Sequence, residues 1–345
     1  MKYTADEIRQ YVAEEDIKFL RLAFCDIFGS QKNISILPDE LERALTYGIA
    51  FDASAVPGFG DEVHSDLFLH PDTGTLCMLP WRPDHGRVAR MFCHVLRPNG
   101  AAFDADCRAL LRQAVADAEQ MGISFSFGTE MEFYLFRRDD NGEPTRIPYD
   151  NAVTFRAVVN SVAVRNGLAA DFSPKPLADK PGNGMHINIS AKSRDGEDVM
   201  PRIIAGILSH VAEMTVFLNT REESYHRFGS SKAPRYISWS SENRSQLIRI
   251  PAAQGEYRRA ELRSPDPLCS PYLAFTLLIR AGLDGINRRL VLPDAANVNF
   301  YTAPASVRAQ FRTLPETLED AKTAAAGSDF IAQCLPDSII RPYTR

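Results

Sequence analysis

The sequence predicts an α+β protein in two parts, divided near residue 97. Three observations predict it. A length of 345 residues suits two domains, or one domain with a large extension. The first 97 residues hold a hairpin pattern, a helix to pack on it and further strands. The remainder combines long apolar helices with strand segments that carry an apolar back and a polar front.

The elements follow in order. MKYTADEIRQYVAEED reads as a charged amphipathic helix and lacks the apolar h-region of a signal peptide. Lys18–Asp26 alternates as a strand, IFGS turns the chain, and Gln31–Leu37 returns as a second strand. PDELERALTYG is a helix with Pro38 in its first turn and Gly48 as its stop. After an irregular stretch, GRVARMFCHVL supplies a strand that ends at the turn RPNG. The second part, 98–345, opens on the helix FDADCRALLRQAVADAEQMG, with Asp104 as N-cap and Gly122 as stop. Phe125–Phe136 is expected as one strand, and the loop RRDDNGEPTRIPYDN leads to a helix over AVTFRAVVNSVAVRNG. An extended segment precedes the strand MHINIS, and a helix covers about Arg202–Leu218. A polar, Arg-rich stretch ends in RRAELRSPDP. SPYLAFTLLIRAGLDGI is apolar nearly all round and reads as a buried helix; two weaker helical patterns complete the chain.

Composition narrows the function classes. With 45% hydrophobic and 24% charged residues the chain can build a substantial core. A net charge of −5 argues against a basic nucleic-acid surface, and no apolar run is long enough to predict a membrane span. The six cysteines are scattered without CxxC pairs, which fits thiols in a reducing cytoplasm better than zinc or a disulfide framework.

Chemistry concentrates in three strand segments. In GTEMEFYLF, Glu130, Glu132 and Tyr134 share one strand face, while Thr129, Met131, Phe133 and Leu135 line the other. Neighbouring anions repel unless something positive lies between them, so the pair is either a solvated, salt-bridged face or half of a site for a hard cation. MHINIS repeats the pattern: His186, Asn188 and Ser190 point one way, after the flexible GNG. In RRAELRSPDP, Glu261 and Arg263 share a face. Glu130, Glu132, His186 and Glu261 together form an oxygen-and-nitrogen donor set suited to Mg²⁺ or Mn²⁺, with ion pairing between Glu261 and nearby arginines as the competing reading. Arg227, Arg244, Arg249, Arg258, Arg259 and Arg263 crowd one polar region, and Arg249 is embedded in the apolar segment QLIRIPA. Such forks suit carboxylate and phosphate. Carboxylates for a metal beside arginines for phosphate describe metal-assisted phosphoryl transfer, and neither a Walker P-loop nor GxGxxG is present to offer another phosphate cradle.

These segments, with FDASAVPGF, LHPDTGTLCMLPW, PKPLADKPGNGMH, NRSQLIRIPA and ELRSPDP, resemble the glutamine synthetase family along most of the chain. The resemblance implies an N-terminal β-grasp domain, a catalytic domain built on a curved antiparallel sheet with flanking helices, and active sites between neighbouring subunits of homo-oligomeric rings, a hexamer or a stacked pair. It implies metal ligation by Glu130, Glu132, His186 and Glu261. Arg227 and Arg263 match positions that hold glutamate or the transferred phosphoryl group, and Arg244, Arg249 and Arg259 positions around ATP. Ser190 falls with the nucleotide positions, Gly182 matches a backbone contact to glutamate, and Asp52 the residue lent to a neighbouring subunit for ammonium. The implied reaction is ATP-dependent condensation of glutamate with ammonia through γ-glutamyl phosphate.

The chain departs from the family pattern at several points. A long insert expected between Phe136 and Phe155, with two further metal-binding glutamates, is replaced by RRDDNGEPTRIPYDN; Asp139, Asp140 and Glu143 are the acids available there. Pro181 replaces a substrate-binding Asn, Asn188 a His near the nucleotide, and Lys232 a Glu on a flap that is one residue shorter. The chain ends at RPYTR, before the family's usual C-terminal extension. These departures leave two alternatives: a γ-glutamyl ligase for another amine, or an impaired homologue that binds nucleotide or amino acid and associates with an authentic synthetase.

Overall fold

Leu20, Leu22 and Phe24 are buried along β1 (Ile17–Cys25), as the alternation in KFLRLAFCD requires. A computed structural model describes residues 3–60, 65–79, 86–138, 144–148, 168–230, 232–253 and 258–345, with positions 159, 162–164, 166 and 255. The chain divides into two units, 1–112 and 113–345.

In the first unit β1 forms the expected antiparallel hairpin with β2 (Gln31–Ile36). The stretch that reads as irregular in the sequence supplies β3 (Ile49–Asp52), β4 (Asp66–Pro71) and β5 (Cys77–Leu79), too short for a clear alternation. With β6 (Arg87–Leu96) they complete a sheet in the order β2-β1-β6-β4-β3, in which β5 also pairs with β6. The β1–β6 pair is parallel. Helix α1 (Ala5–Glu14) carries a Thr4–Glu7 capping box and buries Ile8 and Val12; α2 (Leu41–Thr46) buries Leu41 and Ala44. Helix α3 (Cys107–Gln120) starts later than expected. Phe103 is still bonded to Val95 as extended chain, Asp104 pairs with Arg97, and it is Asp106 that accepts the Arg108 amide at 3.0 Å.

The second unit centres on a five-stranded sheet: β12 (Trp239–Ser241), β13 (Ile248–Ile250), β14 (Ala260–Leu262), β11 (Met185–Ser193) and β7 (Ile123–Met131), in that order. All its pairs are antiparallel except β12–β13. A second sheet orders β10 (Leu168–Asp171), β8 (Tyr134–Arg138) and β9 (Pro144–Pro148). The single strand expected over Phe125–Phe136 is therefore two strands in two sheets. Burial explains the break: Phe133 turns into a cluster with Phe172 and Val159, and the Glu132 amide pairs with Gly184 O at 2.8 Å. Tyr134 is buried along with Phe136, so the two-faced reading fails beyond Met131, and it fails before it at Thr129, which is exposed. The helix expected over AVTFRAVVNSVAVRNG lies largely outside the described residues.

Helix α4 (Met200–Leu218) has the length and apolarity of a membrane span, contrary to the sequence expectation, yet its residues are largely buried against α5 (Pro271–Asn287) and other helices. The tail carries three helices of six residues or more, α6 (Leu318–Ala326), α7 (Asp329–Cys334) and α8 (Asp337–Thr344), where two weak patterns were expected.

Candidate active site

Strand register assembles the site. On β11, Met185, Ile187 and Ile189 are at most 1% exposed, which turns His186, Asn188 and Ser190 to the opposite face. His186 lies directly across from Glu130 on β7, Asn188 across from Glu261 on β14, and Arg249 on β13 across from Glu261. Four strands thus place their polar groups side by side.

One ligand atom from each of Glu130, His186 and Glu261 lies within 4.8 Å of the other two. His186 Nδ1 is 3.1 Å from Glu261 Oε1 and 3.9 Å from Glu130 Oε2. Arg249 Nη1 donates to Glu261 Oε2 at 2.8 Å, and Arg263 Nε stands 3.3 Å from Oε1. Burial alone would raise the pKa of Glu261, but its bonds with His186 and Arg249 bring it down to about 2. The nearby His186 ring is the main cause of a similar depression, to about 2, at Glu130, with the Asn188 amide adding to it. For His186, burial opposes the charged ring, yet the two carboxylates prevail and its pKa is raised. Both carboxylates are held ionised by their positive neighbours, Glu261 by Arg249, Arg263 and His186 and Glu130 by His186. Two carboxylates and an imidazole at this spacing fit a hard or borderline divalent cation.

Glu132 is placed apart. Its Oε2 accepts the Gly184 amide at 2.8 Å. A Cβ built on Gly184 would lie 3.2 Å from Arg227 Nη2, 3.3 Å from Glu132 Oε2 and 3.3 Å from His186 Nε2, so these three groups converge on that glycine. Arg227 is buried, and its Nη atoms reach Asn219 Oδ1, Ser264 O and Pro265 O only at 3.3–3.4 Å. Desolvation lowers its pKa, against the pull of Asp266 and Glu132. Gly182 packs on the Arg227 stem: a Cβ there would lie 2.4 Å from Pro174 O and 2.6 Å from Arg227 Cγ. Gly182→Ala is accordingly expected to destabilise the protein by about 1–3 kcal/mol; an unchanged thermal midpoint would contradict this packing.

The remaining candidates divide. Arg263, 1% exposed, holds the backbone around the site, donating through Nη1 to Arg244 O and through Nη2 to Lys232 O at 3.5 Å. Arg244 therefore contributes its carbonyl here, while its side chain is exposed. Arg259 Nε donates to Asn188 Oδ1 at 2.9 Å. Ser190 lies on the same face of β11, opposite Ser126. Asp52, in the other unit, is exposed and caps a helical turn by accepting from Ser54 N and Oγ, bonds that lower its pKa. Asp139, Asp140 and Glu143 lie outside the described residues. Sequence reasoning missed Gly184 and treated Asn188 only as a departure from pattern; the alternation of MHINIS already placed Asn188 beside His186.

A sheet face that sets a cation donor set beside buried arginines is the centre of an enzyme handling anionic groups. The sequence profile described as "Glutamine synthetase, beta-Grasp domain" matches residues 16–98, and "Glutamine synthetase, catalytic domain" matches 104–149 and 145–345. The chain belongs to the glutamine synthetase family. It is 36% identical to a glutamine synthetase of Methanosarcina mazei, over 99% of this chain and 92% of the relative, and 34% identical to that of Clostridium saccharobutylicum, over 99% and 94%. The first alignment spans 413 residues against the 345 of this chain, so the relative carries stretches that this chain lacks. The two catalytic-domain matches meet within 145–149, inside the segment that follows β8. Among solved structures, a GmaS–ADP complex superposes with a TM-score of 0.86 at 23% identity, covering 100% of this chain and 94% of that one, which is a likeness of fold.

Proposed function

We propose that this protein is an ATP-dependent ligase that phosphorylates glutamate to γ-glutamyl phosphate and condenses it with ammonia or another amine. The observation that carries the reading is the convergence of Glu130, His186 and Glu261 within 4.8 Å, flanked by Arg249 and Arg263. In this reading these three residues hold Mg²⁺ or Mn²⁺, with Glu132 a weaker fourth participant. A divalent cation bound there would supply neutralisation of phosphate charge. Arg249 and Arg259 orient the ATP phosphates, assisted by Arg244 and Ser190. Arg227 and the Gly182 backbone receive glutamate, and Arg263 holds the Lys232 and Arg244 loops around the acyl phosphate. Preorganised guanidinium donors stabilise charge as it moves from ATP to glutamate and require no reorganisation at that moment. Asp52 serves the amine site of a neighbouring subunit in a homo-oligomeric ring, and the protein acts in the cytoplasm.

The test is ADP release by purified protein with Mg²⁺ or Mn²⁺, ATP and glutamate, with and without ammonium and across a panel of small primary amines. Glutamate- and amine-dependent ADP release is the expected result. If ATP binds but no amine elicits turnover, the ligase reading fails and a nucleotide-binding homologue replaces it.

Lys232 favours an amine other than ammonia. It occupies a left-handed backbone position (φ 73°) with an exposed side chain, and an ammonium at the flap repels ammonium as substrate. Lys232→Glu is expected to lower the KM for ammonium by about tenfold, the effect of one charge interaction of about 1.4 kcal/mol. An unchanged KM would remove Lys232 from the amine site.

A further inference from the structure

Of the three cation-facing side chains, two are fixed by burial: His186 is 7% exposed and Glu261 is 3% exposed. Glu130 is different. Its side chain is 51% exposed, and its Oε2 stands 3.9 Å from His186 Nδ1, beyond hydrogen-bond reach. Its other oxygen, Oε1, accepts Asn188 Nδ2 at 3.0 Å, and the same amide accepts Arg259 Nε on Oδ1 at 2.9 Å. Chemistry fixes the orientation of this amide. A carboxylate only accepts and a guanidinium only donates, so Nδ2 must face Glu130 and Oδ1 must face Arg259.

Register makes the bridge available. Asn188 stands opposite Gly128 on one side and Glu261 on the other, and Glu130 is its diagonal neighbour. Gly128 has no side chain, and even a Cβ there would approach Asn188 Cβ only to 3.9 Å, so the amide can turn along the sheet toward Glu130.

We propose that Asn188 is a positioning residue, whose amide holds the Glu130 carboxylate in its cation-binding orientation and ties it to the Arg259 guanidinium. The inference rests on the cation reading above. It assigns to a residue outside the donor set the preorganisation of the one exposed member of that set. The amide does this without adding charge.

Manganese titration of the full-length, nucleotide-free protein tests it, with free Mn²⁺ read by electron paramagnetic resonance. Asn188→Leu, close in size and neutral, is expected to weaken Mn²⁺ binding about tenfold, with the thermal midpoint of the metal-free protein unchanged. In a Glu130→Ala background the same substitution is expected to add no further weakening, because its effect runs through Glu130. Mn²⁺ affinity unaffected by Asn188→Leu, or equal weakening in both backgrounds, would overturn the inference while leaving the cation reading intact. Failure of the wild-type protein to bind Mn²⁺ would remove both.

Discussion

Glu261→Gln is expected to abolish divalent-cation binding and to reduce turnover by on the order of 10²-fold or more. The substitution keeps the side chain's shape and removes only its charge. Glu261 is 3% exposed and lies against Arg249, Arg263 and His186, so three positive or proton-bearing groups lose a common counter-charge. Breaking a buried pair from one side costs about 3–5 kcal/mol, because the other charge stays buried. A lower thermal midpoint should therefore accompany the loss of binding. Acid sensitivity provides a further check on metal-free protein. The Glu261 pKa is held at about 2, against 4.5 ordinarily, so its contribution to stability is complete above about pH 4.5 and disappears as pH falls toward 2. The variant lacks that part of the acid transition. Glu130→Gln is the control: half-exposed, it should weaken cation binding measurably without abolishing it, with little change in stability. Wild-type Mn²⁺ affinity in Glu261→Gln would refute the assignment of the donor set.

The second large effect concerns the scaffold behind the sheet. Gly206→Ala is expected to prevent native packing of α4 on α5, at a cost of more than about 3 kcal/mol. A Cβ on Gly206 would lie 2.0 Å from Ala281 O and 2.9 Å from Gly285 N. The obstruction is reciprocal, since a Cβ on Gly285 would lie 2.1 Å from Arg202 O and 2.9 Å from Gly206 N. Both contacts are with backbone, so no rotamer change relieves them and the helix axes must separate. Ile203, Ile207 and Leu278, all fully buried, would then lose packing. Thermal and urea unfolding of the variant measure this directly. A midpoint within 2 °C of wild type, by a rough conversion of less than 1 kcal/mol, would show that the helices cross at a distance that tolerates the methyl.

The two halves of GTEMEFYLF show how far local pattern reaches. A period of two put Glu130 on the polar face of a strand, and β7 realises it. The same period carried through Glu132 and Tyr134 misleads, because Phe133 is drawn into a separate cluster and β8 joins another sheet. Nothing in the alternation itself marks that break. Asp104 is a similar case: a good N-cap type three residues before the helix starts, overruled by the Phe103–Val95 backbone bond.

By itself the sequence determined the family, the main hairpin, the buried character of the helix after SPDP, and the polar face of MHINIS. Each of these is a matter of residue type and short-range period, which the chain carries locally. Only the tertiary structure decided that Arg249 and Arg263 share the Glu261 carboxylate, that Glu132 turns to Gly184, and that Asn188 spans Glu130 and Arg259. Apart from Glu261 and Arg263, two residues apart on one face, those contacts join different segments of the chain, and strand register, set by the burial of whole apolar faces, selects among pairings that local pattern leaves equivalent.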